Sequence, residues 1–372
     1  MRILYVCTFY ERAMIFRDAM NYLEKRGHKM TAFNAVAKGT KIEEKYKPIM
    51  DEKVIHRECF YKVDRACFPL KQKKFYDALE DNIDINDYDL VHSHTLFNGG
   101  WATYKLHKKY GIPYVVSVRS TDLNTFLRIP IFKPIAVKVI DNASGVLFLS
   151  EGYRERFLEK CYKNRDKKSV IEKSAVIPNG LEPFWIDNIY KEKEKPHSPV
   201  ELLYVGRIDK NKNIETTLKA LDRLNNEGTS AHLTVIGKMY YSRAEALLSN
   251  NDNVTVIPFL TKEELIEYYR KADVFVMPSY HETFGRVYIE AMTQGVPVIY
   301  SRGEGFDRAF PEGTVGYSVK PDSDKEIADS VRKIVDNYQQ ISSNCIENSR
   351  AFDWTVVSRQ LEDLYSEALK RK

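Results

Sequence analysis

The chain has 372 residues, of which 43% are hydrophobic and 29% are charged, a composition typical of a folded protein that is long enough for two domains. It contains no apolar run of roughly 18 residues, so the sequence excludes the usual signal of a transmembrane helix. Five scattered cysteines without a CxxC pair argue against a disulfide framework and a zinc site, and they favour a cytoplasmic location.

The net charge of +5 is unevenly distributed along the chain. Residues 1–185 carry a net charge of +9, and the remaining residues carry −4. A basic first half favours contact with an anionic membrane surface, such as the inner face of the cell membrane, or with an anionic acceptor. Ordinary solvated lysine-rich helices are the alternative interpretation, and the charge count alone does not separate the two.

The first half of the chain alternates short apolar runs with helical patterns. Its predicted strands are Ile3–Cys7, Lys29–Phe33, Tyr88–Ser93, Tyr114–Val118, Gly145–Leu149 and Ala175–Ile177. Its predicted helices, Phe16–Lys25 and Trp101–Tyr110, are each followed closely by a glycine. Such alternation predicts a parallel sheet with helices on both faces, and we assign residues 1–186 to this first domain.

A polar, charged segment at residues 187–199 predicts a linker, and the alternation of strands and helices starts again after it. The predicted strands of the second domain are Glu201–Val205, His232–Ile236, Val254–Ile257, Asp273–Met277 and Val296–Tyr300. We therefore expect an α/β protein with two doubly wound, Rossmann-like domains, residues 1–186 and 200–353, that face each other across a cleft.

The end of the chain predicts one further helix, Trp354–Lys370. Its apolar residues recur at helical spacing on one face, namely Val357, Leu361, Leu364, Tyr365 and Ala368. We expect residues 354–372 to pack back on the first domain.

Two glutamates, Glu282 and Glu290, flank the start of a helix that is predicted to begin near Phe284. The first amides of a helix lack acceptors within the helix and attract anions, and Gly285 allows a ligand to approach the backbone closely. A carboxylate accepts two hydrogen bonds from neighbouring hydroxyls. Two such carboxylates beside a phosphate-binding helix start describe a site for a sugar nucleotide. A capping glutamate and an ordinary glutamate on a helix face are the alternative.

A second motif follows the strand Glu201–Val205, where residues 206–213 read GRIDKNKN. Arg207 and Lys212 lie after the carboxyl end of a strand in the same domain, where they are suited to neutralise a departing diphosphate. A solvated basic loop is the alternative interpretation of this motif.

Together these motifs resemble those of the retaining glycosyltransferases of family four, which have the GT-B fold. The matching segments are VIPNGLE at 176–182, VGRIDKNKN at 205–213, LTVIGK at 233–238, VTVIPFLTKEEL at 254–265 and HETFGRVYIEAMTQGVPVI at 281–299. The resemblance implies that Arg207 and Lys212 bind the donor diphosphate. It also implies that Glu282 contacts the donor sugar and that Glu290 holds the nucleotide ribose. The donor-binding residues predicted beside the catalytic Arg207, Lys212 and Glu282 are Gly206, Phe284, Gly285, Arg286, Val287 and Glu290.

The chain departs from this family in its first half. No glycine pair follows the first strand, where residues 8–13 read TFYERA, and Arg119 stands where the family commonly has a histidine. We place His94, Arg119 and Asp122 on the acceptor side, with a structural salt bridge between Arg119 and Asp122 as the alternative. His92, on the same strand end as His94, is expected to be a satisfied core residue.

The resemblance implies transfer of a sugar from a UDP- or GDP-sugar to a hydroxyl of a glycan or lipid-linked acceptor, in the synthesis of cell-surface polysaccharide or glycolipid. We expect no cofactor and no metal, because no residues have metal-ligand spacing and the basic loop can replace a metal at the diphosphate. We expect no nucleic acid as partner, because the basic residues are dispersed. A sugar-nucleotide epimerase or hydrolase on the same fold is one alternative. A non-catalytic sugar-nucleotide-binding subunit, favoured by the missing glycine pair, is the other.

Overall fold

A computed structural model describes residues 1–191 and 193–371. Glu192, within the predicted linker, and Lys372, at the end of the predicted C-terminal segment, lie outside the described residues. The chain divides into two compact units: the first contains residues 1–149, 153–180 and the segment that begins at Trp354, and the second contains residues 150–152 and 181–353. None of the described helices is both long and apolar enough to span a membrane.

The first unit is built on a seven-stranded sheet. Its strands are β1 (Arg2–Cys7), β2 (Lys29–Ala37), β3 (Val54–Phe60), β4 (Leu90–Ser93), β5 (Tyr114–Val118), β6 (Gly145–Phe148) and β7 (Ser174–Val176). Helices α1 (Met14–Lys25), α2 (Phe68–Asn82), α3 (Gly100–Tyr110), α4 (Ser120–Asn124), α5 (Lys133–Asn142), α6 (Glu151–Tyr162) and α7 (Lys168–Glu172) lie between them. The strand order is β3-β2-β1-β4-β5-β6-β7, and all pairings are parallel, which confirms the predicted α/β class.

The second unit begins with a short helix, α8 (Pro183–Asp187), and has a six-stranded sheet. Its strands are β8 (Val200–Val205), β9 (Ala231–Ile236), β10 (Val254–Ile257), β11 (Val274–Val276), β12 (Val298–Ser301) and β13 (Gly316–Val319). Its helices are α9 (Ile214–Asn226), α10 (Ser242–Ser249), α11 (Lys262–Lys271), α12 (Arg286–Thr293), α13 (Asp324–Asp336) and α14 (Tyr338–Ser349). The parallel strands follow the order β10-β9-β8-β11-β12-β13, so the direction of winding reverses between β8 and β11.

Both faces of the first sheet are buried in apolar cores. Alternate residues of a strand point to opposite faces, so a buried strand contributes to both cores. Leu4 and Val6 belong to one apolar core, and Ile3 and Tyr5 belong to the other. The last helix, α15 (Trp354–Lys370), covers the second of these cores. Its five predicted apolar residues are all buried there, namely Val357, Leu361, Leu364, Tyr365 and Ala368.

The boundary between the units lies earlier than the sequence predicts, after Gly180 rather than at residue 186. The reason is that Trp185 is buried in the second core, where its ring lies 5.5 Å from that of Tyr269. The predicted linker also packs on the second unit. The N–H of Tyr190 donates to the carbonyl of Thr293 at 2.9 Å. The polar character of residues 187–199 predicted a linker, but the backbone of Tyr190 is anchored on the second unit.

Candidate functional site

The two predicted donor motifs follow two strands that are neighbours in the second sheet. Strands β8 and β11 are hydrogen-bonded to each other, and the winding reverses between them. In open parallel sheets, ligands bind at the carboxyl ends of the strands beside such a reversal. Residues 206–213 follow β8 and residues 277–285 follow β11, so the topology brings both motifs to the edge where a ligand is expected.

The loop after β8 holds Lys212 in a sheltered position and leaves Arg207 exposed. The Asp209 carboxylate accepts a hydrogen bond from the backbone N–H of Lys212 at 3.0 Å, which caps a 3-10 turn. The Arg207 guanidinium lies 3.1 Å from Asp209 Oδ2, and its side chain is 67% exposed. The N–H of Gly206 donates to the carbonyl of Ile236 at 3.0 Å. The amide of Gly206 therefore serves the sheet and is not available to a ligand in this arrangement.

Lys212 and Glu282 form an ion pair that joins the two loops. The Lys212 ammonium donates to Glu282 Oε2, and the side chains are only 16% and 14% exposed. The other carboxylate oxygen, Oε1, accepts a hydrogen bond from the N–H of Thr283 at 3.0 Å. Because an ion pair that is shielded from water is screened less than an exposed one, this pair fixes the positions of both charges.

Glu304, which follows β12, holds the loop that carries Glu282. Its Oε2 accepts a hydrogen bond from the N–H of Glu282 at 3.0 Å, and the N–H of Gly305 donates to the carbonyl of Glu282 at the same distance. A Cβ atom at Gly305 would collide with the backbone of Thr283, so the two loops approach too closely for a side chain. Glu304 was not predicted; its signal in the sequence is a carboxylate between two glycines, three residues after an apolar strand.

Helix α12 begins at Arg286, later than the predicted start near Phe284. Gly285 caps the helix with a φ of 80°, a left-handed conformation that favours glycine. Phe284 is buried, and its ring lies 5.8 Å from that of Phe306. The amides of Arg286 and Val287 therefore lie in the first turn, where helical N–H groups lack acceptors within the helix. The side chain of Phe284 belongs to the core.

Glu290 lies further along α12 and has an unusual environment. Its Oε2 accepts a hydrogen bond from the hydroxyl of Tyr269 at 3.2 Å. Although the residue keeps some exposure, burial raises the pKa of Glu290 to about 7, and Arg286 and the Tyr269 hydroxyl oppose that rise only in part. Carboxyl groups with strongly shifted pKa values are concentrated at functional sites. Glu290 belongs to a predicted motif, whereas no motif in the sequence indicates Tyr269.

A pocket of about 520 Å³ opens at the same edge of the second sheet, after β9 and β10. Lys238, Met239 and Phe259 contribute to its lining, and Phe259 is 76% exposed. A backbone bridge between Ile208 and Met239 connects this pocket to the loop of Arg207. Its volume lies within the range of small-molecule sites, so the edge has room for a ligand beside the charged loops.

The residues predicted for the acceptor side lie together in the first unit. The Arg119 Nε donates to the carbonyl of His94 at 2.7 Å. The Asp122 carboxylate accepts hydrogen bonds from the backbone N–H groups of Arg119, Leu96 and Phe97 at 2.9, 3.2 and 3.2 Å. Because Asp122 is fully buried by these contacts, it organises the loops and offers no surface to a ligand in this arrangement.

The alternative salt bridge is not formed, since the described side chains of Arg119 and Asp122 make no ion pair. His94 is 4% exposed, its Nε2 atom is buried without a partner, and burial lowers its pKa well below the usual value. His94 is therefore neutral at pH 7. The satisfied role expected for His92 is confirmed: its two ring nitrogens lie 2.8 Å from the hydroxyls of Tyr365 and Ser117.

The described residues contain no group of three or more His, Cys, Asp or Glu side chains arranged to hold a metal ion. Independence from metals remains a prediction about the reaction.

Comparison with known proteins identifies relatives of both units. The model for Glycosyltransferase Family 4 matches residues 14–183, and the model for Glycosyl transferases group 1 matches residues 186–352. The D-inositol 3-phosphate glycosyltransferase of Corynebacterium aurimucosum is 24% identical over 309 residues, which cover 76% of this chain and 72% of that protein. The capsular polysaccharide biosynthesis glycosyltransferase CapM of Staphylococcus aureus is 27% identical over 242 residues, which cover 61% of this chain and 63% of that protein.

Solved structures resemble this protein over its whole length. Sucrose-phosphate synthase from Thermosynechococcus elongatus has a TM-score of 0.75 at 20% identity, with 100% of both chains covered. HepE of Anabaena in complex with UDP has a TM-score of 0.71 at 17% identity, with 98% of this chain and 100% of that chain covered. At these identities the likeness shows the fold. The two family matches span nearly the whole sequence, and the chain therefore belongs to the family-four glycosyltransferases, which have the GT-B fold.

Proposed function

We propose that this protein transfers a sugar, with retention at the anomeric carbon, from a UDP- or GDP-sugar to a hydroxyl of a glycan or lipid-linked acceptor. The observation that carries the proposal is the sheltered Lys212–Glu282 pair at the reversal point of the second sheet. Two comparisons support it: HepE has been solved with UDP and with UDP-glucose, and CapM is a glycosyltransferase of capsular polysaccharide biosynthesis. A role in polysaccharide or glycolipid synthesis follows from the proposal.

The charges at this edge suit a nucleotide diphosphate sugar. Arg207 and Lys212 supply two cations, and the first amides of α12 add the positive end of a helix. The Glu282 carboxylate, held by Lys212 and the Thr283 amide, is suited to accept hydrogen bonds from hydroxyls of the donor sugar. Glu290 is suited to the ribose hydroxyls.

The proposed reaction exchanges one bond at the anomeric carbon for another. The bond between this carbon and the diphosphate oxygen breaks, and a bond to the acceptor oxygen forms on the same face. The acceptor hydroxyl gives its proton to a departing phosphate oxygen, so no protein nucleophile takes part. Arg207, Lys212 and the helix amides stabilise the negative charge that accumulates on the diphosphate, which is where preorganised charges lower a barrier most.

We also propose peripheral contact with the cytoplasmic face of a membrane, as suits a lipid-linked acceptor. Ile129 and Ile131 are 51% and 73% exposed on either side of Pro130, and the basic residues Arg128 and Lys133 adjoin them. Exposed apolar side chains among basic ones favour an anionic lipid surface. Sedimentation with vesicles that contain an anionic lipid tests this contact. We expect Ile131→Asp to release the protein, and equal sedimentation with purely neutral vesicles would contradict the electrostatic part.

The test of the transfer reaction is a screen of UDP- and GDP-sugars, each incubated with and without candidate acceptors. Release of UDP or GDP that depends on the acceptor, with a product of unchanged anomeric configuration by NMR, is the expected result. Release without any acceptor, or epimerised donor, would instead support a hydrolase or an epimerase. Binding of nucleotide without turnover across a broad set of acceptors would support a non-catalytic subunit.

Two variants of the loop after β8 sharpen this test. Lys212→Ala is expected to lower turnover on the order of 10²–10³, which is typical for the loss of one contact to the transition state. Lys210→Ala removes the same charge from an exposed position in the same turn, and we expect its turnover to stay within about twofold of the wild type. Near-normal turnover by a folded Arg207→Ala/Lys212→Ala double variant would exclude the proposed site.

A further inference from the structure

The first unit holds an open pocket of about 630 Å³ at the carboxyl edge of its sheet. The lining comes from the loops that follow β1, β2, β3, β4 and β5, and includes Phe9, Thr40, Arg65, Asn98 and Thr125. The winding of this sheet reverses between β1 and β4, so the pocket also lies at a reversal point. Both its size and its place in the topology are those of a ligand site.

One wall of the pocket is aromatic. The ring of Phe132 lies 5.1 Å from that of Phe68 and 5.2 Å from that of Phe126, in edge-to-face contacts. All three residues line the pocket, together with Ile129, which is 51% exposed. An aromatic and aliphatic wall of this kind binds the apolar part of a ligand and offers no hydrogen bonds to it.

The pocket also contains a buried cation. Lys71 lines it and is only 9% exposed. Its ammonium donates to Asn98 Oδ1 at 2.6 Å and lies 5.0 Å from the centre of the Phe60 ring. Within the described residues, no carboxylate forms an ion pair with it. Burial, the largest cause, and the charge of Arg65 together lower the pKa of Lys71 to about 8. A buried cation without a counter-ion is costly, and proteins rarely keep one without a use for it.

The location of Lys71 in its helix adds to this cost. It is the fourth residue of α2, close to the helix N-terminus, where the helix dipole favours anions and disfavours cations. The first turn of α2 contains no acidic residue. An anion bound in the pocket would therefore be attracted by both the ammonium and the helix end.

The other charged residues around the pocket are mostly positive, as Lys71 is. Arg12 and Arg65 line the pocket together with Lys71. Glu11 is the only acidic residue among the described lining residues. Glu11 is already engaged, because its carboxylate lies 3.0 Å from Arg12 Nε and accepts a hydrogen bond from Asn34 Nδ2 at 3.0 Å. The pocket therefore presents a positive potential beside an apolar wall.

We propose that this pocket binds the sugar acceptor, that Lys71 contacts a phosphate or phosphodiester group of that acceptor, and that the phenylalanine wall contacts an apolar part next to the phosphate. The proposal rests on the proposed function, because an acceptor is meaningful only for a transferase. It adds to the anionic or lipid-linked acceptor favoured by the sequence a pocket and a residue, Lys71, that the sequence did not single out. His94, Arg119 and Asp122, the predicted acceptor residues, are not among the lining residues of this pocket.

The test uses the full-length protein and three soluble probes: octyl phosphate below its critical micelle concentration, uncharged octyl glucoside, and inorganic phosphate. Calorimetry measures their binding to the wild type, to Lys71→Gln and to Lys73→Gln, which removes a charge from an exposed position of the same helix. We expect Lys71→Gln to lower the affinity for octyl phosphate at least about tenfold, a loss on the order of one charge-assisted hydrogen bond. Lys73→Gln is expected to bind as the wild type does, and Lys71→Arg to retain most of the affinity.

The remaining measurements identify the source of the phosphate and show whether the protein is folded. Octyl phosphate that binds much more tightly than inorganic phosphate, with Phe126→Ala erasing the difference, is the expected result and would identify a lipid phosphate; equal binding of the two would overturn the contact with the phenylalanine wall. Equal affinity of wild type and Lys71→Gln for octyl phosphate, or equal affinity of the wild type for octyl glucoside and octyl phosphate, would overturn the proposal. Thermal shift by UDP or GDP checks the second unit separately. If neither UDP nor GDP raises the thermal stability of the wild type, the result counts against the proposed function. If UDP or GDP does raise it but Lys71→Gln loses no affinity for octyl phosphate, the result counts against this pocket alone.

Discussion

Lys212 and Glu282 lie on loops that follow the adjacent strands β8 and β11, and the hydrogen bond between their side chains joins the two motifs. The cation and the carboxylate hold each other, the carboxylate also accepts a hydrogen bond from the Thr283 amide, and the Asp209 carboxylate holds the backbone of Lys212. Groups that are already in place when charge develops need no reorganisation during the reaction, which is the main source of electrostatic catalysis. The pair therefore couples the stability of this edge to its proposed chemistry.

A double-mutant cycle on this pair is expected to show strong coupling in stability. Lys212→Met or Glu282→Gln alone leaves one sheltered charge without its partner, at a cost of about 1–3 kcal/mol in the free energy of unfolding. The double variant removes both charges, so its loss should be smaller than the sum of the single losses by about 1 kcal/mol or more. Denaturant unfolding of the four proteins measures this coupling.

The exposed pair Lys73–Asp77, with side chains 73% and 45% exposed, provides the matched control. An exposed pair at this helical spacing contributes only about 0.3–0.5 kcal/mol, so its cycle should show little coupling. Coupling for Lys212 and Glu282 that is no larger than for this control would mean that the loops, and not the ion pair, fix the edge.

Glu290 is expected to make the stability of the protein depend on pH near neutrality. Its folded pKa of about 7 lies above the ordinary value of 4.5, so between these values the folded state keeps a proton that the unfolded state has released. The free energy of unfolding should therefore fall as the pH rises from about 4.5 to 7, and the loss should be complete above that range. Glu290→Gln should remove this decline. Between pH 4.5 and pH 8, the difference in unfolding free energy between the variant and the wild type should shift in favour of the variant by about 1–3 kcal/mol.

The check is chemical denaturation of wild type and Glu290→Gln at several pH values between 4 and 9. Glu326→Gln serves as the control, because the pKa of Glu326 is lowered by the Lys320 amide and Arg302 despite an opposing effect of burial, so its contribution to stability is lost only as the pH falls. Parallel stability curves for wild type and Glu290→Gln across pH 4.5–7 would show that this carboxyl does not titrate near neutrality.

Gly305→Ala is expected to damage the loop of Glu282 through contact alone. A Cβ atom at this position would collide with the Thr283 backbone, and crowding in a packed region typically costs about 1–3 kcal/mol. Because the N–H of Gly305 holds the Glu282 carbonyl, nucleotide affinity should fall along with stability. Gly152→Ala is the matched control, since its Cβ would lie 3.6 Å from the Glu304 carbonyl, an ordinary contact. Wild-type stability and nucleotide affinity in Gly305→Ala would contradict this account of the loop.

The sequence predicted the central strands and the edge strands β7 and β10, but it missed the edge strands β3 and β13, for a physical reason. Central parallel strands are buried on both faces, so they appear as apolar runs such as Tyr114–Val118. The edge strand β3 (Val54–Phe60) contains His56, Arg57 and Glu58, which an edge position tolerates because most of its residues keep some exposure to solvent. Strand β13, at the edge of the other sheet, contains Gly316, where a Cβ would collide with the Val298 backbone. Neither pattern is a strand signal in the sequence alone.

The candidate site was predictable in its members but not in its contacts. The motifs identified Lys212 and Glu282, but their ion pair depends on β8 and β11 being neighbours, which only the strand order determines. The start of α12 shifted because Phe284 is drawn into the core, and burial of a large aromatic side chain outweighs the local helical pattern. The pocket proposed for the acceptor was missed because its residues follow five different strands, and a buried lysine such as Lys71 looks in sequence like any other lysine.

Tyr365 in the last helix is expected to stabilise the first unit through its hydroxyl. That hydroxyl lies 3.0 Å from the hydroxyl of Tyr5 and 2.8 Å from His92 Nδ1, and all three side chains are buried. Tyr365→Phe leaves two buried polar groups unpaired, and we expect the free energy of unfolding of the first unit to fall by about 1–3 kcal/mol. Denaturant unfolding measures the loss, while the thermal shift by UDP or GDP reports on the second unit. Tyr240→Phe, at a position that is 60% exposed, should change neither. If Tyr365→Phe is as stable as Tyr240→Phe, apolar packing of α15 accounts for its attachment and the buried hydroxyl contributes nothing measurable.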